Sequence, residues 1–356
     1  MRKNKNLTNN SRIGVFFRSL LQSFNLYKKK PAPLPDDIPP PVVAIKEKAP
    51  VAQMKQPPKK PEFSASEHYQ LGLDNLQHEA NDDCDILAFQ HFLKAAEQEH
   101  AQAQSHLAYM YQMGYGTPKD AEKAFYWSFK AANQDIADAQ FNVGLCYLNG
   151  WGTTVDVKQA IQWLQAAAQQ NIVDAQRYLG DIYSGCLPLH SSDSFLDIDL
   201  AESWYLKAAA SEDLHAQLQL GKLYLSDDNS KKNLSLAKKY LESAAQAHFE
   251  EAQYLLALYY LQPENNSKQP NYSVASDLLY QAAQNGYPDA MYALGCLYAE
   301  GKGVEENKAL SQRYFQLAAK EGHRQAKQKL YEDFDIFADE TSRQQYERTS
   351  VTVKLF

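Results

Sequence analysis

The stretch "LNGWGTTVDVKQAIQWLQAAAQQ", Leu148 to Gln170, decides how this chain is read. It opens on a Gly-aromatic-Gly loop and runs into a segment whose apolar residues have helical spacing. A glycine loop feeding a helix can hold phosphate on the free N–H groups of the helix start. A nucleotide site is therefore the first reading to test. Related phrases stand at Gln112–Gln134, "QMGYGTPKDAEKAFYWSFKAANQ", and at Ala299–Gly322, "AEGKGVEENKALSQRYFQLAAKEG". They are either three sites or three copies of one structural unit.

The Ala-Ala pairs settle the choice. They fall at Ala95–Ala96, Ala131–Ala132, Ala167–Ala168, Ala208–Ala209, Ala244–Ala245, Ala282–Ala283 and Ala318–Ala319, in steps of 36, 36, 41, 36, 38 and 36. A second column, Gly72, Ala108, Gly144, Gly180, Gly221, Ala257 and Gly295, keeps the same register. Two columns in phase over seven units make an internal repeat.

Each unit reads as two helices. In the first, Ala is followed by Leu or Val at +4, the small residue at +5 and Tyr at +8, as in Ala139, Val143, Gly144 and Tyr147. At 100° per residue these form one stripe. The second helix starts at Asp120, Asp156, Asp197, Asn233, Asn271 or Asn307. Asp and Asn cap the free N–H groups of a helix start. Seven residues on stands Trp127, Trp163, Trp204, Tyr240, Leu278 or Tyr314, which the pattern assigns to the core. The glycine loops thus join helix to helix, whereas a phosphate loop follows a strand. They are expected to be turns.

The pattern A-x-x-x-[LV]-G-x-x-Y, G-x-G, D-x-x-x-A-x-x-W-x-x-x-A-A resembles the Sel-one-like repeat (SLR) family, in the tetratricopeptide-repeat (TPR) superfamily. The resemblance covers about residues 67–326. It implies an all-α fold, a right-handed α/α solenoid of about seven two-helix repeats, and a non-catalytic adaptor for protein partners. Some bacterial members of the family carry one disulfide per repeat and are associated with β-lactams. Here Cys84, Cys146, Cys186 and Cys296 do not recur with the repeat, which argues against that subgroup. The departures are the polar loops "SDDNSKKN" and "QPENNSKQPN", an insertion around "LPLHSSDSF", and a first unit with Cys84 and His91 where cap and Trp belong. That unit reads as a modified end cap.

Charge divides the chain. Residues 1–62 hold 13 Lys/Arg against 4 Asp/Glu, a net of +9, and the remaining 294 hold 23 against 39, a net of −16. An acidic body repels nucleic acid, so any attraction to an anionic surface belongs to the arm. Within residues 1–30, Phe16, Phe17, Arg18, Leu20, Leu21 and Phe24 have the spacing of an amphipathic helix with basic flanks. Such a helix can lie in a membrane interface. A disordered tail and an uncleaved signal anchor are the alternatives. Residues 31–62 are Pro-rich and expected to be a disordered spacer, 63–326 the solenoid, and 327–356 a capping helix and flexible tail. Val351, Val353 and Leu355 alternate in that tail as in a strand. The reading places the protein in the cytoplasm, peripheral at the inner face of the membrane.

No CxxC pair, HExxH, Walker loop or GxSxG elbow is present in the sequence. It calls for no metal, no cofactor and no small-molecule substrate, and the expected partner is a protein or peptide. The candidate site comes from helical geometry. Positions +2, +6 and +9 of the first helix lie opposite the core stripe. They give a groove with Phe141, Arg177, Asp181, Lys222, Tyr254 and Tyr292. Stacking of the repeats is the competing fate of these residues. Gln104, Gln140, Gln176, Gln217 and Gln253, at +1, are expected to bond the backbone of the adjacent repeat. A self-assembling or envelope-organising array is the alternative function.

Overall fold

The structure, a computed structural model, describes residues 63–77, 82–189, 195–226, 231–262 and 269–334. The arm, the Pro-rich stretch and the alternating tail lie outside them. Two compact units divide the chain at Gln170.

The first unit holds three hairpins. These are α1 (Ala65–Gln77) with α2 (Asp82–Glu97), α3 (Ala101–Met113) with α4 (Ala121–Ala132), and α5 (Ala137–Asn149) with α6 (Val157–Gln169). The second unit holds α7 (Val173–Tyr183) with α8 (Ile198–Ala210) and α9 (Leu214–Leu225) with α10 (Leu234–Gln246). It continues with α11 (Glu250–Leu261) and α12 (Tyr272–Gln284), α13 (Pro288–Glu300) and α14 (Lys308–Lys320), and ends on α15 (Arg324–Phe334). Among the described residues every element is a helix, and each packs chiefly on its neighbours in sequence. The fold class is an all-α solenoid of seven repeats.

Local chemistry explains each boundary. All six Asp/Asn caps accept a bond from the backbone N–H three residues on, at 2.9–3.2 Å. Their own N–H groups donate to the +8 tyrosine carbonyls, as from Asp156 to Tyr147 at 2.9 Å and from Asn307 to Tyr298 at 2.9 Å. One residue thereby starts the second helix and ties it to the end of the first. Between them, Gly150 turns α5 off in the left-handed conformation at φ 72°. Gly152, at φ 68°, lies against the Ala121 carbonyl at the start of α4, where any Cβ would collide. That surface of the loop is occupied by the preceding repeat, which answers the phosphate question. The loop is a packed turn.

The turns between repeats carry a signal the sequence hid. Glu99, Asp135, Asn171, Glu212, His248, Gly286 and Gly322, each three residues beyond an Ala-Ala pair, all have positive φ. The next N–H reaches back to the first alanine's carbonyl, as from His100 to Ala95 at 3.1 Å and from His323 to Ala318 at 3.0 Å. This is a Schellman ending, normally closed by glycine. Only two of the seven positions are glycine, so the column did not show.

The tryptophan column is core only in part: Trp127 and Trp204 are buried, and the fully closed position is the next residue. Trp163 is half-buried and packs edge-on against Phe129 at 5.6 Å, while Leu164 beside it is wholly buried. Phe92, Tyr205, Leu241, Leu279 and Phe315 share the Leu164 register, each no more than 1% exposed. These side chains lie over the small residue of the first helix. A Cβ on Gly144 would come within 2.8 Å of Leu164 Cγ.

Candidate interaction face

The glutamines at +1 anchor one repeat to the last. Gln104 Nε2 donates to the Ala96 carbonyl at 3.1 Å, Gln140 Nε2 to Ala132 at 3.4 Å, and Gln253 Nε2 to Ala245 at 3.3 Å. Their amides therefore serve cohesion between repeats. Buried amides need such partners.

Position +2 meets the residue just before the next repeat's first helix. Tyr69 stacks on His100 at 4.4 Å and Tyr292 on His323 at 4.6 Å, while Tyr254 meets Tyr287 at a tilt, 5.4 Å between centroids. In α7 the same seam is ionic. Arg177 reaches Asp174 at 2.7 Å, Asp181 at 3.6 Å and Asp213 at 3.8 Å. Burial opposes the guanidinium charge, but the three carboxylates outweigh it and hold the Arg177 pKa above its ordinary value. Burial pushes the Asp181 carboxyl up, against the lowering effect of the Tyr205 hydroxyl, which donates to it at 2.8 Å, and of Arg177. Lys222, at +6 of α9, is paired with Glu251 at 2.6 Å, both about a third exposed. Burial likewise raises the Tyr254 phenol.

The expected groove residues thus separate. Arg177, Asp181, Lys222, Tyr254 and Tyr292 stand on α7, α9, α11 and α13, half-buried on corresponding faces within the second unit. Phe141 does not join them. It lies in the first unit at 4% exposure, with Leu145 and Leu148 buried beside it. Helices α4 and α6 both pack on α5, so its buried arc is wider than the single stripe assumed from the helical period. Asp213, Glu251, Tyr287 and His323 complete the seam and escaped sequence reading. Glu251 pairs with Lys222, whereas Asp213, Tyr287 and His323 belong to a column that runs through His, Ile, Asp, Phe and Tyr, so no residue type marks it. The membrane-contact candidates Phe16, Phe17, Arg18, Leu20, Leu21 and Phe24 lie outside the described residues.

Among the described residues no group of three His, Cys, Asp or Glu is placed to hold a metal, and no helix is long and apolar enough to cross a membrane. Cys146 is pushed up to about 12 by burial, which leaves it a thiol at neutral pH.

Stacked helical hairpins with half-buried aromatic and charged side chains in register define an α/α repeat protein of the TPR-like class. The Sel1 repeat model matches residues 67–100, 101–136, 137–172, 173–213, 214–249, 250–287 and 288–323, and the chain belongs to that family. Proteins of the family are in general interaction scaffolds. A Sel1 repeat protein from Oxalobacter formigenes is 29% identical, with a TM-score of 0.55 over 70% of this chain and 96% of that one. A protective antigen of uropathogenic Escherichia coli strains, displaying an SLR fold, is 25% identical with a TM-score of 0.66 over 78% of this chain. The chain spans 59% of that antigen's length. No curated protein matches the sequence.

Proposed function

We propose that the chain is a non-catalytic scaffold that receives a partner polypeptide on the first-helix face of its second unit. The supporting observation is the row Arg177, Asp181, Lys222, Tyr254 and Tyr292, which recurs with the repeat on adjacent first helices and stays half-accessible. Rigid aromatic side chains and paired charges on a stiff array suit recognition, because little ordering entropy is lost when a partner docks. Residues 1–30 are proposed to hold the array at an anionic membrane surface, since they carry eight basic and no acidic residues.

Crosslinked co-purification from native cells, comparing the full chain with residues 63–356, tests this. A partner retained by both, and lost from Lys222→Glu and Tyr254→Ala variants that melt like the parent, is the expected result. Partners retained only by the full chain would move the function to the N-terminal segment and overturn the face.

A further inference from the structure

Five of the nine histidines fall between residues 68 and 106, and the fold gathers four of them, His68, His91, His100 and His106, where α1 and α2 meet α3. His68 and His91 face each other on α1 and α2 with their Nδ1 atoms 3.0 Å apart. His100 stacks on Tyr69 at 4.4 Å, and its Nδ1 accepts the Ala103 N–H at 3.2 Å as the cap of α3. His106, 7% exposed, stacks on Phe92 at 5.1 Å, meets Tyr69 edge-on at 5.6 Å, and donates from Nδ1 to the Gln102 carbonyl at 2.8 Å.

We propose that the first hairpin is an acid-labile cap. Protonation of His68, His91, His100 and His106 undocks residues 63–100 while the later hairpins stay folded.

Each contact resists full protonation, for a different reason. The His68–His91 contact is an N–H···N bond that survives one charged ring, but charging both would remove its acceptor and set two cations face to face at hydrogen-bond distance. A proton on His100 Nδ1 removes the acceptor that caps α3 and places a cation at the positive end of that helix. The basic nitrogen of His106 is Nε2, since Nδ1 carries the donated hydrogen. Charging that ring means charging a group packed among Tyr69 and Phe92.

Of the surrounding charges Glu67 attracts a proton to His68, but Glu99 is engaged elsewhere and Lys94 repels one. On α1, Glu67 is engaged by the backbone and hydroxyl of Ser64 at 2.7 and 2.8 Å. On α2, Lys94 adds to the repulsion on His91. In the α2–α3 turn, Glu99 is held by Lys130 of α4 and Gln104 of α3. On α3 a charge on His100 disfavours one on His106. At the other end of the array His323 repeats the cap and the tyrosine stack, but its Nε2 lies 3.1 Å from the Asp289 carboxylate. Burial lowers the pKa of His91, His100 and His106 below the ordinary 6.5. A lowered folded-state value means stability that is complete above about pH 6.5 and lost as pH falls through the folded value. In a solenoid such a loss stays local, because a terminal repeat is held only by its neighbour. Residues 1–62 join the array through this hairpin, so its undocking would alter how the arm is held.

Hydrogen exchange of the full chain at about pH 7.5 and about pH 5, corrected for intrinsic rates, reads this directly. Protection within α1 and α2 is expected to fall at least tenfold more than in α9–α14, roughly the margin a local opening gives. A His100→Asn, His106→Leu double variant keeps a capping side chain and an apolar filler, and should lose most of the effect. Uniform loss across all hairpins, or an undiminished effect in the folded double variant, overturns the proposal. If the variant does not fold, ring titration by NMR in the parent decides. Values for His91, His100 and His106 at or above 6.5 would end it.

Discussion

At the scale of single residues, the repeat is held by a size bargain between two columns. Where the first helix has glycine, the second places a large side chain over it: Phe92 over Gly72, Leu164 over Gly144, Tyr205 over Gly180, Leu241 over Gly221 and Phe315 over Gly295. Ala108 is matched only by Ser128, but Ala257 is matched by fully buried Leu279, so the rule is firm only for the glycines. Leu164 has no exposed surface, and its loss leaves a void that Gly144 cannot fill. Leu164→Ala should therefore cost about 3–5 kcal/mol, and Trp163→Ala clearly less. Urea midpoints of the two variants check the order, and a larger loss from Trp163 would restore the tryptophan to the core. The seam between repeats yields the opposite prediction. His248 is exposed and sits at φ 64°, a conformation that costs a non-glycine residue about 1 kcal/mol. His248→Gly should raise the melting temperature, and a fall would mean that the imidazole makes contacts worth more than the strain. The core column was read correctly at Trp127 and Trp204, which are buried, but not at Trp163, which lies on the half-open edge beside Phe129 while Leu164 fills the closed centre.

Helix boundaries were the most legible level, because capping chemistry is local. Asp120, Asp156, Asp197, Asn233, Asn271 and Asn307 could be named from residue type and spacing, and each makes the bond expected of it. Asp156→Ala should cost about 1 kcal/mol, whereas Asp156→Asn should be nearly neutral at pH 7, since asparagine does the same work in three other repeats. Equal losses from both would show that charge, and not the bond, carries the effect. Apart from the bonds of the +1 glutamines, the contacts between helices of successive repeats were not legible. In several repeats the residue five beyond the cap position packs against the next repeat's tyrosine, but it does so by changing means. Phe125 meets Tyr147 edge-on at 5.4 Å, Glu202 accepts from the Tyr224 hydroxyl at 2.6 Å, and Lys238 lies over Tyr260 at 5.4 Å. A column that conserves geometry and varies chemistry leaves no pattern to read. The same holds for the seam at Arg177–Asp213, Tyr254–Tyr287 and Tyr292–His323, which is why the candidate face was visible only on its first-helix half.

Over the whole molecule, the dominant asymmetry is electrostatic. Residues 1–62 carry a net of +9 and the other 294 a net of −16, so the chain is a cationic segment attached to an anionic body. The body alone should be repelled by an anionic bilayer. Each basic residue near such a surface contributes about 1 kcal/mol, falling off within a Debye length, so the eight in residues 1–30 can outweigh that repulsion only at modest ionic strength. Full-length protein should then co-sediment with phosphatidylserine-containing vesicles at low salt and come off progressively as salt rises. Residues 63–356 should stay in the supernatant throughout. Binding of the full chain that ignores salt would point to insertion of Phe16, Phe17, Leu20, Leu21 and Phe24 as the main attraction, with the basic flanks secondary. Equal binding by the truncated form would remove the arm from the mechanism altogether. The charge division also bears on the face of the second unit. There Arg177 and Lys222 stand against four carboxylates, Asp174, Asp181, Asp213 and Glu251, so a partner docking beside Tyr254 and Tyr292 meets a net of only −2, far less than the charge of the arm. Its affinity should change little over the salt range that releases the vesicles, which lets one titration separate the two attachments.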